Sequence, residues 1–170
     1  MGQGTIGQSE SIEYSTPLRL IQPLIKEFRL TTDVCASADN HKLPKYWTKE
    51  DNALTKAWEG NCWMNPPFSR DLNKWVRKAC KDSRKYQGTK VCLVPVRSNT
   101  KWWAEVTKFA EIRFIDGEVN FNEEERGLWL PMCILIFGEK ANVGTFSTIN
   151  YRELRVRKNY NYGLFGDNLD

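Results

Sequence analysis

The sequence has few of the residues from which hydrolytic and metal centres are usually built. Its 170 residues include one histidine, His41, and five cysteines that show no C-x-x-C spacing. The single histidine argues against a Ser/His/Asp or Cys/His catalytic set. The cysteine spacing argues against a disulfide framework and against a zinc ribbon. We therefore expect no metal site, and reduced thiols that lie mostly in the core.

Long apolar runs are missing as well. No stretch approaches the ~18 apolar residues of a membrane-spanning helix, and the N-terminus lacks the basic start and apolar core of a signal peptide. Glycines at positions 2, 4 and 7 spell G-x-G-x-x-G, but a dinucleotide-binding turn needs a strand before it. These features predict a cytoplasmic protein without a membrane partner. They also predict a flexible leader over residues 1–14 and a single domain over residues 15–170.

Charge of neither sign dominates the composition. The net charge of +4 permits an anionic partner such as nucleic acid but does not require one. Basic side chains collect in the segment 150–162, where they alternate with tyrosines; they are Arg152, Arg155, Arg157 and Lys158. Such a segment can bind nucleic acid through its phosphates and bases, although a solvated, charged edge strand fits the pattern equally well.

Hydrophobic periodicity predicts strands that alternate with helices. Apolar residues at i, i+3, i+4 and i+7 predict a helix over 71–84. Thr16-Pro17 and the stretch from Thr48 to Asp51 have the form of helix starts, and Asp116-Gly117 predicts a tight hairpin. Apolar runs predict strands at 30–35, 62–64, 91–96 and 131–137. This order predicts an α/β fold with a mostly parallel sheet, an antiparallel C-terminal hairpin and a ligand site at the carboxyl ends of the strands.

The strand predicted at 62–64 runs directly into Asn65-Pro66-Pro67-Phe68. Two successive prolines fix two φ angles and remove two N–H donors, so the carbonyl groups beside them are rigid and have few local partners. Asn65 adds a side-chain carbonyl, and Phe68 adds a flat ring. Converging acceptors beside an aromatic face suit a planar group that carries an –NH₂, such as a base lifted from its stack.

These acceptors also suggest a reaction. An aryl amine is a poor nucleophile because its lone pair is delocalised into the ring. Hydrogen bonds from its two N–H groups to fixed acceptors favour a pyramidal nitrogen that can attack an electrophile, and the same acceptors stabilise the positive charge that develops on nitrogen. Taken alone, the four residues could form a plain structural turn. Their place after a buried strand of an α/β domain is, however, where ligands are expected.

With these residues the sequence resembles the S-adenosylmethionine-dependent amino-methyltransferases that carry (D/N/S)-P-P-(Y/F). Among them it resembles the small phage-type DNA N6-adenine methyltransferases, the Dam-like family. Thr16-Pro17 is similar to the family's N-terminal cofactor motif, Asp33 to Ser37 is similar to its D-x-x-A-S segment, and Leu93 to Arg97 is similar to its L-V-P-x-R segment. The resemblance covers roughly residues 15–137.

The resemblance implies a trimmed Rossmann-like methyltransferase sheet with helices on both faces. It implies methyl transfer from S-adenosylmethionine to N6 of adenine in double-stranded DNA, at a GATC-type target, in the cytoplasm of a bacterial host and without an obligate protein partner. The target adenine, flipped against the aromatic ring, would be held by Asn65, Pro66, Pro67 and Phe68. The cofactor would be held by Thr16, Pro17, Asp33, Ala36, Ser37, Asp51 and Asn65. DNA would be contacted by Arg70, Arg97, Arg152, Arg155, Arg157 and Lys158.

Two other interpretations remain open. A similar N-P-P-aromatic pocket can serve the methylation of cytosine N4 or of a protein glutamine amide. The chain could also be a catalytically silent nucleic-acid-binding module that uses the basic segment and the tryptophans. Such a module would bind DNA without any affinity for the cofactor.

Overall fold

Seven strands form one mixed sheet in the computed structural model, which describes residues 15–121 and 130–154. The sheet order is β2-β1-β3-β4-β6-β5-β7. All neighbouring pairs are parallel except those made by β6, which runs antiparallel to both β4 and β5. The strands are β1 (Thr32–Asp33), β2 (Lys45–Tyr46), β3 (Cys62–Met64), β4 (Thr89–Pro95), β5 (Glu111–Asp116), β6 (Met132–Gly138) and β7 (Phe146–Asn150).

Helices cover both faces of this sheet, because the central strands are apolar on both sides. They are α1 (Leu18–Phe28), α2 (Leu72–Lys85) and α3 (Lys101–Val106). On β4, Val91 and Leu93 pack on the side of α1, whereas Cys92 and Val94 pack on the side of α2 and α3. The predicted α/β fold, with a mostly parallel sheet and helices on both faces, is confirmed.

Several predicted elements are confirmed and others need correction. The helix predicted over 71–84 is α2, and the strands predicted at 62–64, 91–96 and 131–137 are β3, β4 and β6. The antiparallel C-terminal hairpin exists as the pair of β5 with β6, but the tight Asp116-Gly117 hairpin is wrong, because no second strand follows within residues 118–121, where Val119 forms only an isolated bridge. Strand β7 was not predicted as a separate element.

Two predicted helix starts also differ from the structure. The N–H of Thr48 donates to the Asp51 carboxylate (2.9 Å), as in a capping box, but only a 3-10 turn, Ala53–Thr55, follows instead of an α-helix. Helix α1 begins at Leu18, and Thr16 makes no capping bond to it. The predicted leader and the three basic residues Arg155, Arg157 and Lys158 lie outside the described residues.

The direction of the strands brings the predicted site residues to one edge of the sheet. Strands β1, β3, β4, β5 and β7 run the same way, so their carboxyl ends share an edge. Asp33 ends β1, Asn65 follows β3, Arg97 follows β4 and Arg152 follows β7. The edge therefore collects residues that are far apart in the chain, as expected for the ligand-binding edge of an α/β sheet.

The opposite edge is closed by backbone that packs directly on backbone. A side chain added at Gly88 (φ +94°) would overlap the carbonyl group of Gly60, and one added at Gly138 would overlap the carbonyl oxygen of Gly88. Beneath this contact, the fully buried Lys90 donates from Nζ to the carbonyls of Gly60 (2.9 Å) and Gln87 (3.0 Å).

We predict that Gly88→Ala destabilises the fold much more than Gly144→Ala. Both glycines have a positive φ, but the space around Gly144 (φ +82°) is open. Left-handed backbone costs a non-glycine residue about 1–2 kcal/mol, and overpacking adds about 1–3 kcal/mol at Gly88 alone. Denaturant unfolding should show a loss of about 3 kcal/mol for Gly88→Ala and about 1 kcal/mol for Gly144→Ala. Equal losses of unfolding free energy in the two variants would contradict the close contact between the Gly88 and Gly60 backbones.

Candidate active site

A cavity of about 320 Å³ opens at the carboxyl edge of the sheet. One wall is the loop after β1, with Ala36 and Asn40, and another is the turn after β2, with Thr48, Lys49 and Asn52. The third wall is the turn after β3, which contributes Asn65, Pro66 and Pro67. We call this the first cavity. It joins three segments that are distant in the sequence and includes most of the predicted Asn65 to Phe68 motif.

Asn65 is held in place by a residue from the start of the described chain. Its side-chain Nδ2 donates to the hydroxyl oxygen of Thr16 at 3.0 Å, and Thr16 is only 3% exposed. Because the amide nitrogen is committed to this bond, the amide oxygen is the atom with which Asn65 can meet an N–H donor. Thr16 and Pro17, which were predicted to bind cofactor, do not line the first cavity.

The two prolines differ in what their carbonyl groups can do. The Pro67 carbonyl accepts the N–H of Ser69 at 2.9 Å. No residue in the described ranges donates a hydrogen bond to the Pro66 carbonyl. Pro66 therefore supplies a rigid acceptor beside the Asn65 side chain, whereas the Pro67 carbonyl is used to close the turn.

Phe68 lies in a different cavity from Asn65. This second cavity, of about 190 Å³, is also lined by Arg70 and Arg97, and only Ser69 lines both cavities. The Phe68 ring meets the ring of Phe121 edge-on, with centroids 5.8 Å apart. The turn from Asn65 to Ser69 thus forms a partition between the first and second cavities.

Asp33 lies behind the wall of the first cavity and does not line it. Its carboxylate is 2% exposed and accepts the backbone N–H of Cys35 (3.3 Å) and of Lys42 (3.0 Å). Burial raises the pKa of Asp33 from 3.8 to about 6, although these two N–H donors and the Lys42 charge act in the opposite direction. The observed role of Asp33 is to shape the loop over residues 34–42, whose Ala36 lines the cavity.

The remaining predicted residues are distributed around the cavities. Ser37 and Asp51 do not line the first cavity; the Ser37 N–H donates to Asn40 (2.7 Å), and Asp51 is exposed. Arg152 is exposed on the same sheet edge, but β7 lies four strand spacings from β3, about 19 Å. The sequence did not reveal the wall formed by Thr48, Lys49 and Asn52, because that stretch was assigned to a helix.

Other classes of site find no support in the described residues. Within residues 15–121 and 130–154, no three His, Cys, Asp or Glu side chains are placed to hold a metal ion. None of the helices in these ranges has the length and apolar character needed to cross a membrane. All five cysteines are free thiols. His41 stacks on Tyr46, with centroids 4.2 Å apart, and does not line the first cavity.

The residues that form these two cavities lie in a region that is similar to known proteins. The family model described as DNA N-6-adenine-methyltransferase (Dam) matches residues 4–159. The DNA N-6-adenine-methyltransferase of Haemophilus phage HP1 is 32% identical over 137 residues, which is 74% of this chain and 78% of that protein. The enzyme of the same name from Escherichia phage T1 is 30% identical over 110 residues, 62% of this chain and 45% of that protein.

The buried Asp33 carboxyl predicts a specific dependence of stability on pH. Because the folded-state pKa is about 6 and the ordinary value is 3.8, the folded protein binds more protons between these values, and stability falls as the pH rises through this window. The shift corresponds to about 3 kcal/mol. We expect denaturant unfolding between pH 4 and 7 to show this decline in the wild type and not in Asp33→Asn.

The exposed Asp39, in the same loop, provides the matched control. Asp39→Asn should retain the wild-type slope of unfolding free energy against pH. The same slope in Asp33→Asn as in the wild type would mean that the buried carboxyl does not cause the decline.

Proposed function

Because the chain belongs to the DNA N-6-adenine-methyltransferase (Dam) family and is an adenine-specific DNA methyltransferase, we propose that S-adenosylmethionine is its methyl donor and binds in the first cavity. The volume of about 320 Å³ is within the range of small-molecule sites. The cavity lies at the carboxyl ends of parallel strands, where nucleotide-like ligands bind in such folds.

The walls of the first cavity have the chemistry that this donor requires. Leu54 and Trp75 provide apolar surface, and Asn40 provides an amide that can bond polar groups of the ligand. Ala36 brings the backbone of the β1 loop to the cavity, and Asp33 holds that loop in shape. We assign Asp33 and Ser37 a supporting role, and Asp51 supports the opposite wall through its bonds to Thr48.

The target amine would be activated by two fixed acceptors. The two N–H groups of adenine N6 would donate to the Asn65 side-chain oxygen and to the Pro66 carbonyl. S-adenosylmethionine supplies an electrophilic methyl group when bound. Asn65 and Pro66 keep the N6 lone pair directed away from the ring and stabilise the positive charge that develops on N6, and their rigidity means that they need not reorient during the reaction.

DNA would approach from the side of the second cavity. Arg70 and Arg97 line that cavity, and Arg152 lies farther along the same edge, where it can meet phosphates. Phe68 offers the face on which a flipped base can stack. Arg155, Arg157 and Lys158 remain predicted DNA contacts, and they lie outside the described residues. A GATC target is likewise a proposal.

The observation that carries this function is the bond from Asn65 to the buried Thr16 at the rim of a ligand-sized cavity. The decisive experiment is expression in a bacterial strain that lacks adenine methylation, followed by mass spectrometry of the digested DNA. We expect N6-methyladenine, and methylation-sensitive sequencing should then give the target. N4-methylcytosine without N6-methyladenine would overturn the assignment, and calorimetric titration without any S-adenosylmethionine binding would favour a silent DNA-binding module.

We predict that Asn65→Ala lowers kcat for methyl transfer by at least about 100-fold, the usual effect of removing one preorganised electrostatic partner. The fold and the affinity for S-adenosylmethionine should remain largely intact. Single-turnover methylation, with calorimetry for the cofactor, measures both effects. Near-normal activity in this variant would refute the proposed role of Asn65.

Asn61 is the matched control for that experiment. It lies four residues earlier, and its side chain bonds the N–H of Thr89 (2.9 Å) and the carbonyl of Arg29 (3.2 Å). Asn61→Ala should therefore lower the unfolding free energy while the folded fraction keeps its kcat. The two variants thus separate catalysis from folding.

A further pair of variants tests how Asn65 is positioned. Thr16→Val keeps the shape of the side chain but removes the oxygen that accepts the Asn65 N–H, whereas Thr16→Ser keeps that oxygen. Loss of one hydrogen bond should lower kcat about 5- to 10-fold in the valine variant, with KM for DNA little changed. The serine variant should recover most of the rate. Equal rates in both variants would exclude Thr16 as a positioning residue.

A further inference from the structure

Most of the lining of the second cavity, apart from Phe68, takes no part in the proposed methyl transfer. It lies on the far side of the Asn65 to Ser69 turn from the first cavity, between the start of α2 and the loop before α3. The acceptors proposed for the target amine, Asn65 and Pro66, do not line it. Its lining comprises Phe68, Ser69, Arg70, Leu72, Asn73, Arg97, Thr100 and Trp102. The second cavity is therefore a separate compartment beside the site of transfer.

The charge of the second cavity is uniformly positive. None of its lining residues is acidic, and within residues 15–121 and 130–154 the guanidinium groups of Arg70 and Arg97 form no ion pair or hydrogen bond. The nearby Asp71 is occupied by Lys74, at 2.7 Å. Two arginines without acidic partners on one small cavity suit a phosphate group, which guanidinium binds in a fork geometry.

The same cavity offers flat surfaces. Phe68 and Trp102 both line it. The indole of Trp102 is half-buried and meets the ring of Trp103 edge-on, with centroids 5.9 Å apart, which limits its rotation. Aromatic rings beside cationic groups are the combination by which proteins bind single nucleotides of a strand.

Asn73 provides the polar group that a base edge would need. Its side-chain oxygen is fully buried, and no residue of the described ranges donates a hydrogen bond to it. The nearby hydroxyl of Thr100 gives its hydrogen to the Arg97 carbonyl (2.8 Å) and so is not its donor. A buried acceptor without a donor costs free energy, and a bound group with an N–H would remove that cost.

We propose that the second cavity binds the DNA nucleotide next to the target adenine and that Asn73 selects its base. Arg70 and Arg97 hold the phosphate, Trp102 stacks on the base, and the Asn73 oxygen accepts an N–H from the base edge. This favours adenine, cytosine or guanine, whose amino group keeps one N–H outside the Watson–Crick pair, over thymine, whose only N–H, at N3, is used in that pair. The inference rests on the proposed function for the position of the target base, but its test reads binding alone.

The test is a binding selection from a pool of duplexes with randomised sequence, read by sequencing of the bound fraction. The wild type should enrich a motif. Asn73→Leu, which keeps the side-chain size but cannot accept a hydrogen bond, should lose about tenfold discrimination at one position beside the target and keep the rest of the motif. Asn73→Asp, which keeps the acceptor, should retain that preference even though its charge weakens binding.

Two further variants separate base reading from phosphate binding. Arg97→Gln should weaken binding to every sequence and lower the salt slope of log Kd by about 1, without changing the motif. Asn142→Leu, an exposed residue in the loop between β6 and β7 at the opposite sheet edge, should change nothing. Melting temperatures of all variants check that they are folded.

Three results would overturn the inference. They are an unchanged motif in Asn73→Leu, the absence of any motif in the wild type, and a change of the methylated base itself, which would place the target base in the second cavity. If the cells contain no N6-methyladenine but Asn73→Leu still loses one position of the motif, the proposed function fails and base reading by Asn73 stands.

Discussion

The proposed active site depends on one buried hydrogen bond, from the Asn65 amide to the Thr16 hydroxyl. It joins the end of β3 to the segment before α1, across 49 residues of sequence. Thr16 is buried, and α1 packs on the sheet through Leu20 and Ile21, so this bond is not readily exchanged for one to water. The proline pair fixes the backbone on the other side of Asn65. Both acceptors are thus held by the core of the protein, independently of any ligand.

The sheet determines where Asn65 and Pro66 lie, and the loop packed beside them is ordered at some cost in the free energy of unfolding. Because β1, β3 and β4 are parallel, their following loops meet at one edge. The β1 loop is ordered by the Asp33 carboxylate, which receives two backbone N–H groups but is buried at the cost of a raised pKa. The apolar strands β4 and β6, buried along almost their whole length, supply the compensating burial.

Local patterns predicted the elements and the motif, whereas long-range contacts were out of reach. The apolar period predicted α2, and Asn65 to Phe68 was found at the end of β3. The hairpin at Asp116-Gly117 failed because β6, an almost wholly buried strand, gives β5 a better partner than the turn residues can. The hydrogen bond between Asn65 and Thr16 and the separation of Phe68 from the first cavity both depend on contacts between segments that are distant in the sequence. Local sequence patterns therefore could not predict either of them.

In the proposed function, the partition formed by the turn from Asn65 to Ser69 allows one short motif to serve two ligands. The rim acceptors, Asn65 and Pro66, line the first cavity, while Phe68 lines the second together with the arginines. Attraction between the arginines and phosphate would keep the DNA backbone on the side of the second cavity. The adenine would then cross over Phe68 before its amino group reaches Asn65 and Pro66. In this proposal the aromatic ring and the acceptors act in sequence along one path, and the methyl donor would enter the first cavity without competition from DNA.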